Sequence, residues 1–459
     1  MKIRRCLSFF LLAVLAASVL SLQSLAAEGD APALPEDPDI LAKAALLVDL
    51  NTGKAVYAKN EHQELYPASL TKIMTALLVL DAVEDGRLTL DQELTASAVV
   101  TTLPADGSTA NIKEGEILSV RDLLSCMLVV SANEAADILA EGVAGTVEAF
   151  VADMNLKAAA LGCQNTHFVN PNGLHDPQHY TSAWDLSLIT QAAMEYPVFM
   201  EICDTANVVI PATNLSKERN YWTTNHLLST YRVLGYRNKD AHGIKTGSTS
   251  EAGYCLVSSA EKGTKHFLSV IMGAERVVEN NVGNIRSFSE TTRLFNWGFD
   301  NFRYQTILTD HASIQEIPVT LSKTDHVIAE AAEEVEALVP NGLRPDQLER
   351  TVDLYHDTLE APVTAGEKLG TLTLSYGGTV YGTVDLLASH DVEVSRLMVF
   401  WRDTGLFFQK TSVRVALAAL LVVLVLILLW RLIFSRRRYR YGKSVGRSGA
   451  GGYRGRRRH

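Results

Sequence analysis

The feature that most constrains this chain is a long apolar run near its C-terminus, Val415 to Phe434, in which Arg431 is the single charged residue. About 20 apolar residues in a helix are enough to cross the hydrocarbon core of a bilayer. An Arg-rich segment without acidic residues follows, and positive residues beside a span favour the cytoplasmic side. The sequence therefore predicts a transmembrane helix at residues 415–434 and a basic cytoplasmic tail at 435–459.

A second apolar segment lies at the N-terminus. Lys2, Arg4 and Arg5 precede the apolar run Cys6 to Leu22, and small residues follow as far as Ala27. A basic region, an apolar region and small residues in this order are typical of a secretory signal peptide. We expect residues 1–27 to be removed, with an uncleaved anchor as the alternative. The body of the protein is then extracytoplasmic, held by a single-pass anchor in the cell membrane.

The charge distribution bears on possible partners. All 52 acidic residues lie between positions 28 and 413, although the whole chain has a net charge of only −10. A strongly acidic body repels polyanions, so the sequence predicts that nucleic acid is not a partner. For the basic tail, anionic membrane lipid is the nearest partner.

Four cysteines remain in the mature chain: Cys126, Cys163, Cys203 and Cys255. They are widely spaced and form no Cys-x-x-Cys pair, so the sequence predicts no zinc site, and nothing in it suggests another metal or a cofactor. Two disulfides are possible by number. The apolar neighbours of each cysteine are equally compatible with buried free thiols.

A hydroxyl and an amine come together at the start of a predicted buried helix. Pro67 precedes the apolar run Ile73 to Leu80, so Ser69 lies in the first helical turn. Lys72 is three residues further along and therefore on the same face. Apolar surroundings disfavour the ammonium form, and a neutral lysine can accept the serine proton. The hypothesis is that Ser69 is a nucleophile and Lys72 is its base.

This spacing is weak evidence by itself, because it recurs at Ser259 and Lys262, where the sequence is typical of a solvated turn. Two further segments strengthen it. Ser131-Ala132-Asn133 follows a predicted buried helix and presents a hydroxyl and an amide, although helix-end capping explains it equally well. Lys245-Thr246-Gly247-Ser248 precedes a predicted strand and offers a cation and a hydroxyl to a carboxylate. A solvated turn is the alternative there.

The order of the predicted elements is a β-hairpin, several helices, more strands and a final helix, which favours an α+β domain with helices packed on an antiparallel sheet. The helical runs include Ala135 to Leu161. After residue 302 the pattern changes to short alternating segments separated by turns, which predicts a small all-β domain at 303–400. The acidic segment 329–337 within it is expected to be exposed. The catalytic domain is accordingly placed at 28–302.

In their order, the three segments resemble the motifs of penicillin-recognising serine enzymes. The sequence around them narrows the resemblance to the D-alanyl-D-alanine carboxypeptidases, which are low-molecular-weight penicillin-binding proteins. The similar segments are residues 65–75, 129–136, 168–174 and 243–248. The resemblance is strong over residues 40–300. Over residues 304–400 it is limited to the domain architecture, a C-terminal β domain. It implies a β-lactamase/transpeptidase-like domain followed by a β domain. The family often anchors through an amphipathic helix, whereas this chain has an apolar span.

The resemblance also implies a reaction. Ser69 attacks the carbonyl of the terminal D-Ala-D-Ala bond in a peptidoglycan stem peptide, free D-alanine leaves, and water hydrolyses the acyl-enzyme. Lys72 is the general base, although that assignment is disputed even in well-studied relatives. Ser131 with Lys245 passes a proton to the leaving amine. β-Lactams are expected to acylate Ser69 as mimics of the dipeptide.

The remaining implied roles concern substrate binding. Asn133 binds the substrate backbone, and Thr246 with Lys245 holds the terminal carboxylate. Gly247 lets the substrate backbone approach closely. The main-chain amides of Ser69 and Ser248 form the oxyanion hole; no role follows for the Ser248 side chain.

Several alternatives share these residues. A β-lactamase needs a further carboxylate to activate water, and residues 165–178 offer Asp176 but no convincing glutamate. A DD-endopeptidase would have the same residues as a carboxypeptidase and would differ only in its substrate. A catalytically inactive cell-wall-binding scaffold would differ in that it fails to react with penicillin. A Ser-His-Asp hydrolase would use one of four histidines as its base: His167, His175, His179 or His242.

Overall fold

The structure, a computed structural model, describes residues 34–104, 107–279 and 282–435. The predicted signal peptide and all but the first residue of the predicted tail lie outside these ranges. The chain divides into two compact units. The first holds the described residues up to Ile307, with Glu336–Glu349 and Tyr376–Gly382, and the second holds Leu308–Val335, Arg350–Ser375 and the residues from Thr383 onward.

The α-helices of the described residues are α1 (Lys72–Glu84), α2 (Val120–Val129), α3 (Asn133–Ala144), α4 (Val147–Ala160), α5 (Ala183–Met194), α6 (Pro197–Cys203), α7 (Arg286–Asn301), α8 (Arg396–Gln409) and α9 (Thr411–Ser435). The strands are β1 (Ala44–Asp49), β2 (Lys54–Lys59), β3 (Glu93–Thr95), β4 (Ile117–Ser119), β5 (Asn207–Ile210), β6 (Arg219–Trp222), β7 (Ala241–Thr249), β8 (Gly253–Lys262), β9 (Lys265–Ala274), β10 (Arg276–Glu279), β11 (Val282–Ile285), β12 (Phe302–Leu308), β13 (Ser313–Thr320), β14 (His326–Ala331), β15 (Val335–Pro340), β16 (Glu349–Leu354), β17 (Leu359–Glu360), β18 (Lys368–Tyr376) and β19 (Thr379–Ala388).

A five-stranded sheet organises the first unit, with the strand order β2-β1-β9-β8-β7. All neighbouring strands in it are antiparallel. The interior strand β1 is buried at all six positions. This requires cover on both faces, and the sequence of β1 is accordingly apolar without alternation up to Asp49. Strand β7 forms one edge of the sheet.

The two faces of this sheet pack against different helices. Ala45 and Leu47 of β1 join a core cluster with Leu294 and Phe295 of α7. Their neighbours in sequence point the other way, and Leu46 belongs to a larger cluster built on α1, α2 and α3. Successive residues of a strand face opposite sides, so one strand serves two cores. Helix α1 lies inside the larger cluster and is buried from Lys72 to Leu80.

The second unit contains a six-stranded sheet with the order β16-β18-β19-β14-β13-β17. Strands β13 and β14 are antiparallel, whereas β13 and β17 are parallel. The prediction of an α+β domain followed by an all-β domain is confirmed. Helix α9 follows, and Thr411–Phe434 is long and apolar enough to cross a membrane by length and composition.

Three local predictions differ from the structure. The predicted helical run from Ala135 to Leu161 is broken, because Gly145 adopts a left-handed φ of 81° and Thr146 caps a new helix through the amide of Ala149. Lys245 to Ser248 do precede the predicted strand, which is β8, but they are themselves part of strand β7 and not of a solvated turn. The acidic segment 329–337 is not simply exposed, because it contributes to β14 and β15, where alternate residues such as Ala331 and Ala337 are buried.

The thiols are reduced in this structure. Cys126, Cys163, Cys203 and Cys255 are all free cysteines. Burial raises the pKa of the Cys126 and Cys163 thiols to about 12. Of the two possibilities that the sequence left open, the structure has free thiols, of which three are buried and that of Cys163 is partly exposed.

Candidate active site

The predicted nucleophile lies in a tight turn directly before α1. Residues Ala68–Thr71 form a 3-10 helix, and the α-helix begins at Lys72. The turn puts Ser69 one helical turn ahead of Lys72, and the Lys72 Nζ–Ser69 Oγ distance is 3.0 Å. The predicted juxtaposition of hydroxyl and amine is therefore present, although Ser69 precedes the α-helix instead of lying in its first turn.

The amine of Lys72 is completely buried, with an exposed fraction of 0%. Besides Ser69, its Nζ donates to Asn133 Oδ1 at 2.8 Å and to the main-chain oxygen of Asn172. Burial, followed by the positive charge of Lys245, holds the pKa of Lys72 well below 10.5, against the opposing charges of Asp137 and Glu134. A buried ammonium is disfavoured because it loses hydration that three hydrogen bonds only partly replace.

Asp137 is a buried carboxyl beside this amine that the sequence reasoning did not single out. It lies four residues after Asn133 on α3, and its two oxygens accept from Asn172 Nδ2 at 2.9 and 3.2 Å. Burial raises the pKa of Asp137 to about 7. Asp137 thus holds Asn172, whose main-chain oxygen accepts a hydrogen bond from Lys72. The i, i+4 spacing from Asn133 is the signal that could have revealed it.

The second motif lies between two helices. Ser131 has a positive φ of 67° after α2, and Asn133 is the first residue of α3. The amide of Asn133 donates to the main-chain oxygen of Ser108 at 2.9 Å. Buried Glu134 holds the same loop, since Oε1 accepts from the amide of Ala110 at 2.7 Å. These hydrogen bonds hold helix α3 against the loop that contains Ser108 and Ala110, on one side of the site.

The third motif lies on the edge strand β7. Lys245 is buried, and burial lowers its pKa to about 7. Its Nζ donates to the main-chain oxygen of Thr246 at 2.9 Å, and Thr246 Oγ1 shares a hydrogen bond with Thr224 Oγ1 at 2.7 Å. Thr224 was not predicted from the sequence. It orients the hydroxyl that faces the site.

Two glycines allow the backbone segments to meet. A Cβ at Gly247 would lie 2.8 Å from the oxygen of Pro67 and 3.1 Å from the nitrogen of Ser69. A Cβ at Gly173, which has φ +84°, would lie 1.9 Å from the oxygen of Ala68. Both positions touch the turn that carries Ser69. Any side chain there would displace the nucleophile.

The three motifs converge on one cavity of 370 Å³. Its lining includes Ser69, Ser131, Thr246, Gly247 and Ser248. Lys72 and Lys245 lie behind this surface as buried residues. The lining also includes His226 and Arg232, which the sequence did not predict. Four hydroxyls of the motifs therefore line a single space at the edge strand β7, and the two buried amines of lowered pKa belong to the same motifs.

The comparison with protein families decides the identity of the chain. The family model described as D-alanyl-D-alanine carboxypeptidase matches residues 31–276, which is more than half of the chain. The model of the penicillin-binding protein 5 C-terminal domain matches residues 302–394. This chain belongs to the D-alanyl-D-alanine carboxypeptidase family. The predicted family is thereby confirmed, and with it the prediction of a serine hydrolase.

Individual relatives agree with the family match. The D-alanyl-D-alanine carboxypeptidase DacF of Bacillus subtilis is 29% identical over 363 residues, covering 79% of this chain and 89% of that protein. A D-alanyl-D-alanine endopeptidase of Pseudomonas aeruginosa is 33% identical over 264 residues, covering 58% of this chain and 79% of that protein. The crystal structure of penicillin-binding protein 5 from Haemophilus influenzae has a TM-score of 0.61 at 29% identity and covers 78% of this chain and 99% of that one.

The histidines considered for a Ser-His-Asp site do not contact Ser69. His179 is buried beside the nucleophile turn, where Nε2 bonds Thr71 Oγ1 at 2.8 Å and Nδ1 accepts from the amide of Val169 at 3.1 Å. Burial lowers its pKa to about 4, so the imidazole is neutral. His242 pairs with Asp204 at 3.0 Å. In this family member His179 supports the turn and takes no proton from Ser69.

Proposed function

We propose that this chain is a serine-type D-Ala-D-Ala carboxypeptidase that removes the terminal D-alanine of peptidoglycan stem pentapeptides through an acyl-enzyme on Ser69. One observation carries the proposal: Ser69 shares a 370 Å³ cavity with Ser131 and Thr246, while Lys72 Nζ lies 3.0 Å behind its hydroxyl. Family membership supplies the reaction class, and the residue roles that follow are part of the proposal.

The hydrogen bonds of Lys72 are suited to a general base. A neutral amine has two N–H donors and one lone pair. Asn133 Oδ1 and the Asn172 oxygen accept the two N–H groups, so the lone pair is directed at the Ser69 hydroxyl. Ser69 O–H then donates to Nζ and transfers its proton as Oγ attacks the carbonyl.

Collapse of the tetrahedral intermediate needs a proton for the leaving D-alanine amine. Ser131 supplies it, with Lys245 behind as the source, since an amine whose pKa is about 7 both gives and accepts protons at neutral pH. Lys245 and Thr246 also hold the terminal carboxylate. Asn133 uses Oδ1 for Lys72, which leaves Nδ2 to donate to a substrate carbonyl.

The oxyanion hole is assigned to the amides of Ser69 and Ser248. Gly247 brings β7 against the Ser69 turn, with the Cβ position only 3.1 Å from the Ser69 nitrogen, so the two segments present their amides to one place. One such donor contributes about 3 kcal/mol in the transition state. The proton that Lys72 took from Ser69 then passes through Ser131 to Lys245, which restores both amines. Water hydrolyses the ester with Lys72 again as base, and the proton returns to the Ser69 oxygen as the product leaves. Penicillins acylate Ser69 by the same route.

The carboxylate distribution favours a carboxypeptidase over a β-lactamase. Asp176 is the acidic residue in the loop after the second motif. Its Oδ1 accepts a hydrogen bond from the main-chain amide of Gln178 at 2.7 Å, within a turn of the same loop. It is thus directed into its own loop. Slow hydrolysis of the penicilloyl-enzyme is the expected consequence.

The domain limits and topology complete the proposal. We assign residues 1–27 to a signal peptide, 28–302 to the catalytic domain, 303–400 to the β domain, 415–434 to the span and 435–459 to a cytoplasmic tail. The apolar character of Thr411–Phe434 and the Arg-rich sequence after it support this assignment. The catalytic body then faces the wall outside the membrane.

The full-length protein in detergent tests the assignment of Ser69. We expect a fluorescent penicillin to label the wild type covalently, and D-alanine to be released from diacetyl-L-Lys-D-Ala-D-Ala. Ser69→Ala removes the attacking oxygen and is expected to abolish both signals. Ser259→Ala, at the second Ser-x-x-Lys spacing, is the matched control and should keep both. Labelling that survives Ser69→Ala would disprove the assignment.

The endopeptidase relative makes a second activity on the same residues a specific candidate. A carboxypeptidase and an endopeptidase differ in whether the group after the scissile bond ends in a free carboxylate. Incubation with a cross-linked dimer peptide distinguishes them. With Lys245 and Thr246 as a carboxylate clamp, we expect the pentapeptide to be hydrolysed faster.

The pH dependence tests the coupling of Asp137 to Lys72. Above pH about 7 Asp137 is charged and favours the ammonium form of Lys72. Asp137→Asn removes this charge, lowers the pKa of Lys72, and should move the acidic limb of kcat/KM to lower pH by up to about one unit. Exposed Asp153→Asn on α4 is the control and should leave the limb in place. A shift to higher pH would contradict the coupling.

A further inference from the structure

A second cavity of 530 Å³ adjoins the active-site cavity. The two share Ser248 and Tyr254 in their linings. The second cavity lies where β7 ends and turns into β8, and its far wall is formed by residues around the end of β9. It is therefore a continuation of the active-site cleft along the edge strand.

Charges of both signs line this extension. Lys43 and Arg276 are cationic, and Glu251 and Glu275 are anionic. Within the described ranges, Lys43, Arg276 and Glu251 form no ion pair, and Glu275 has Arg286 at 4.0 Å. The Lys43 stem packs on Gly273 and the Arg276 guanidinium on Gly283, since a Cβ at either glycine would meet them at 2.7 and 3.0 Å. Both cationic side chains thus lie against glycine main chain in or beside the wall.

The direction of the substrate follows from the proposed function, on which this inference rests. The terminal carboxylate lies at Lys245 and Thr246, in the middle of β7, and the scissile carbonyl at Ser248, near its end. The residues before the scissile bond must then run past Ser248 toward Thr249 and Ser250. Strand β7 is the edge of its sheet, so an extended peptide can pair with it, advancing about 3.4 Å per residue.

We propose that this extension is a subsite for the side chain of the residue preceding D-Ala-D-Ala, and that it accepts a side chain ending in both an ammonium and a carboxylate. A residue one step before the acyl D-alanine reaches the space beyond Ser248 that Glu251 and Arg276 line. Glu251 pairs with the ammonium, and Arg276 and Lys43 with the carboxylate. A side chain that carries an ammonium alone would leave both cations unpaired and facing a like charge.

Three peptides of the form acetyl-X-D-Ala-D-Ala test the subsite on the full-length protein in detergent. X is a diaminopimelic acid residue, lysine or Nε-acetyl-lysine, and D-alanine release gives kcat/KM. We expect the wild type to prefer the diaminopimelic peptide by about tenfold, since an exposed ion pair contributes up to about a fivefold factor. The preference should decline as salt is raised.

Two variants assign the charges. Glu251→Gln should lower kcat/KM about fivefold for the two peptides with a free ammonium. Arg276→Gln should lower it about fivefold for the diaminopimelic peptide and should not lower it for the lysine peptide, for which it removes a like charge. Neither should affect the acetyl-lysine peptide. Glu261→Gln, at the opposite end of the same sheet, is the matched control and should change nothing.

Penicillin labelling tests the proposed function without testing the subsite, because penicillins lack this side chain. Normal labelling combined with equal kcat/KM on the three peptides overturns the subsite alone. An equal loss on all three peptides in Glu251→Gln or Arg276→Gln also overturns it, because that loss reflects the general integrity of the cleft. Absence of labelling in the wild type overturns the proposed function and the subsite together.

Discussion

The Lys72→Ala variant is expected to fold and to lose acylation by fluorescent penicillin by a factor of about 10³, within the usual range for removal of a general base. Lys72 Nζ lies 3.0 Å from Ser69 Oγ, and its other two contacts are acceptor oxygens of Asn133 and Asn172. His179 is not in position to replace it, because its Nε2 is directed at Thr71. Stopped-flow labelling gives the rate, and thermal unfolding gives the stability.

A control variant and a rescue experiment distinguish the loss of base catalysis from a structural defect in Lys72→Ala. Lys157→Ala removes an ion pair with Asp81 of 2.8 Å outside the cavity and should leave labelling unchanged. Propylamine added to Lys72→Ala can occupy the vacated space and should restore part of the rate, increasing with pH as the free amine accumulates. Full labelling of Lys72→Ala without an added amine would remove Lys72 from the mechanism.

The Gly173→Ala variant is expected to lose acylation by more than about 100-fold, although residue 173 takes no part in the chemistry. The new Cβ would lie 1.9 Å from the oxygen of Ala68, so the turn carrying Ser69 must move by more than 1 Å. A displacement of that size is enough to cost about 100-fold in rate. Labelling kinetics measure the loss, and unfolding measures the accompanying destabilisation.

The chain supplies a matched control for backbone strain. Gly162 has the same φ of +84°, but nothing lies within 4 Å of its Cβ position. Gly162→Ala therefore carries the cost of a left-handed alanine, about 1–2 kcal/mol, without the collision. It should lower stability slightly and leave labelling intact. Equal labelling of Gly173→Ala and the wild type would show that the turn tolerates the displacement.

The local sequence was sufficient to predict those structural features whose physical cause acts between nearby residues. The spacing of Ser69 and Lys72 is a matter of one helical turn, and the buried run after Lys72 follows from apolar residues in succession. The alternation after residue 302 likewise predicted strands. The break at Gly145 was missed because the apolar pattern continues on both sides, whereas a left-handed glycine resets the helix.

Long-range relations required the folded chain. Whether Lys245 belongs to a turn or to a strand depends on pairing with β8, which brings residues such as Thr246 and Leu256 together. Asp137 gained its importance from Asn172, 35 residues away. The lowered pKa of Lys72 is likewise set by burial and by the charge of Lys245, and the lowered pKa of Lys245 is set by burial.

By itself the sequence determined the chemistry available to this protein: a serine one helical turn from a lysine, a hydroxyl-and-amide pair, a lysine–threonine–glycine segment, and an apolar run long enough for a membrane. Periodicity and spacing act over a few residues, so these features are visible in the chain. Only the tertiary structure decided that the three segments line one cavity, that the main-chain oxygen of Asn172 accepts a hydrogen bond from Lys72, and that the cleft continues into a charged extension. Burial, desolvation and contact between distant segments exist only once the sheet and helices have packed.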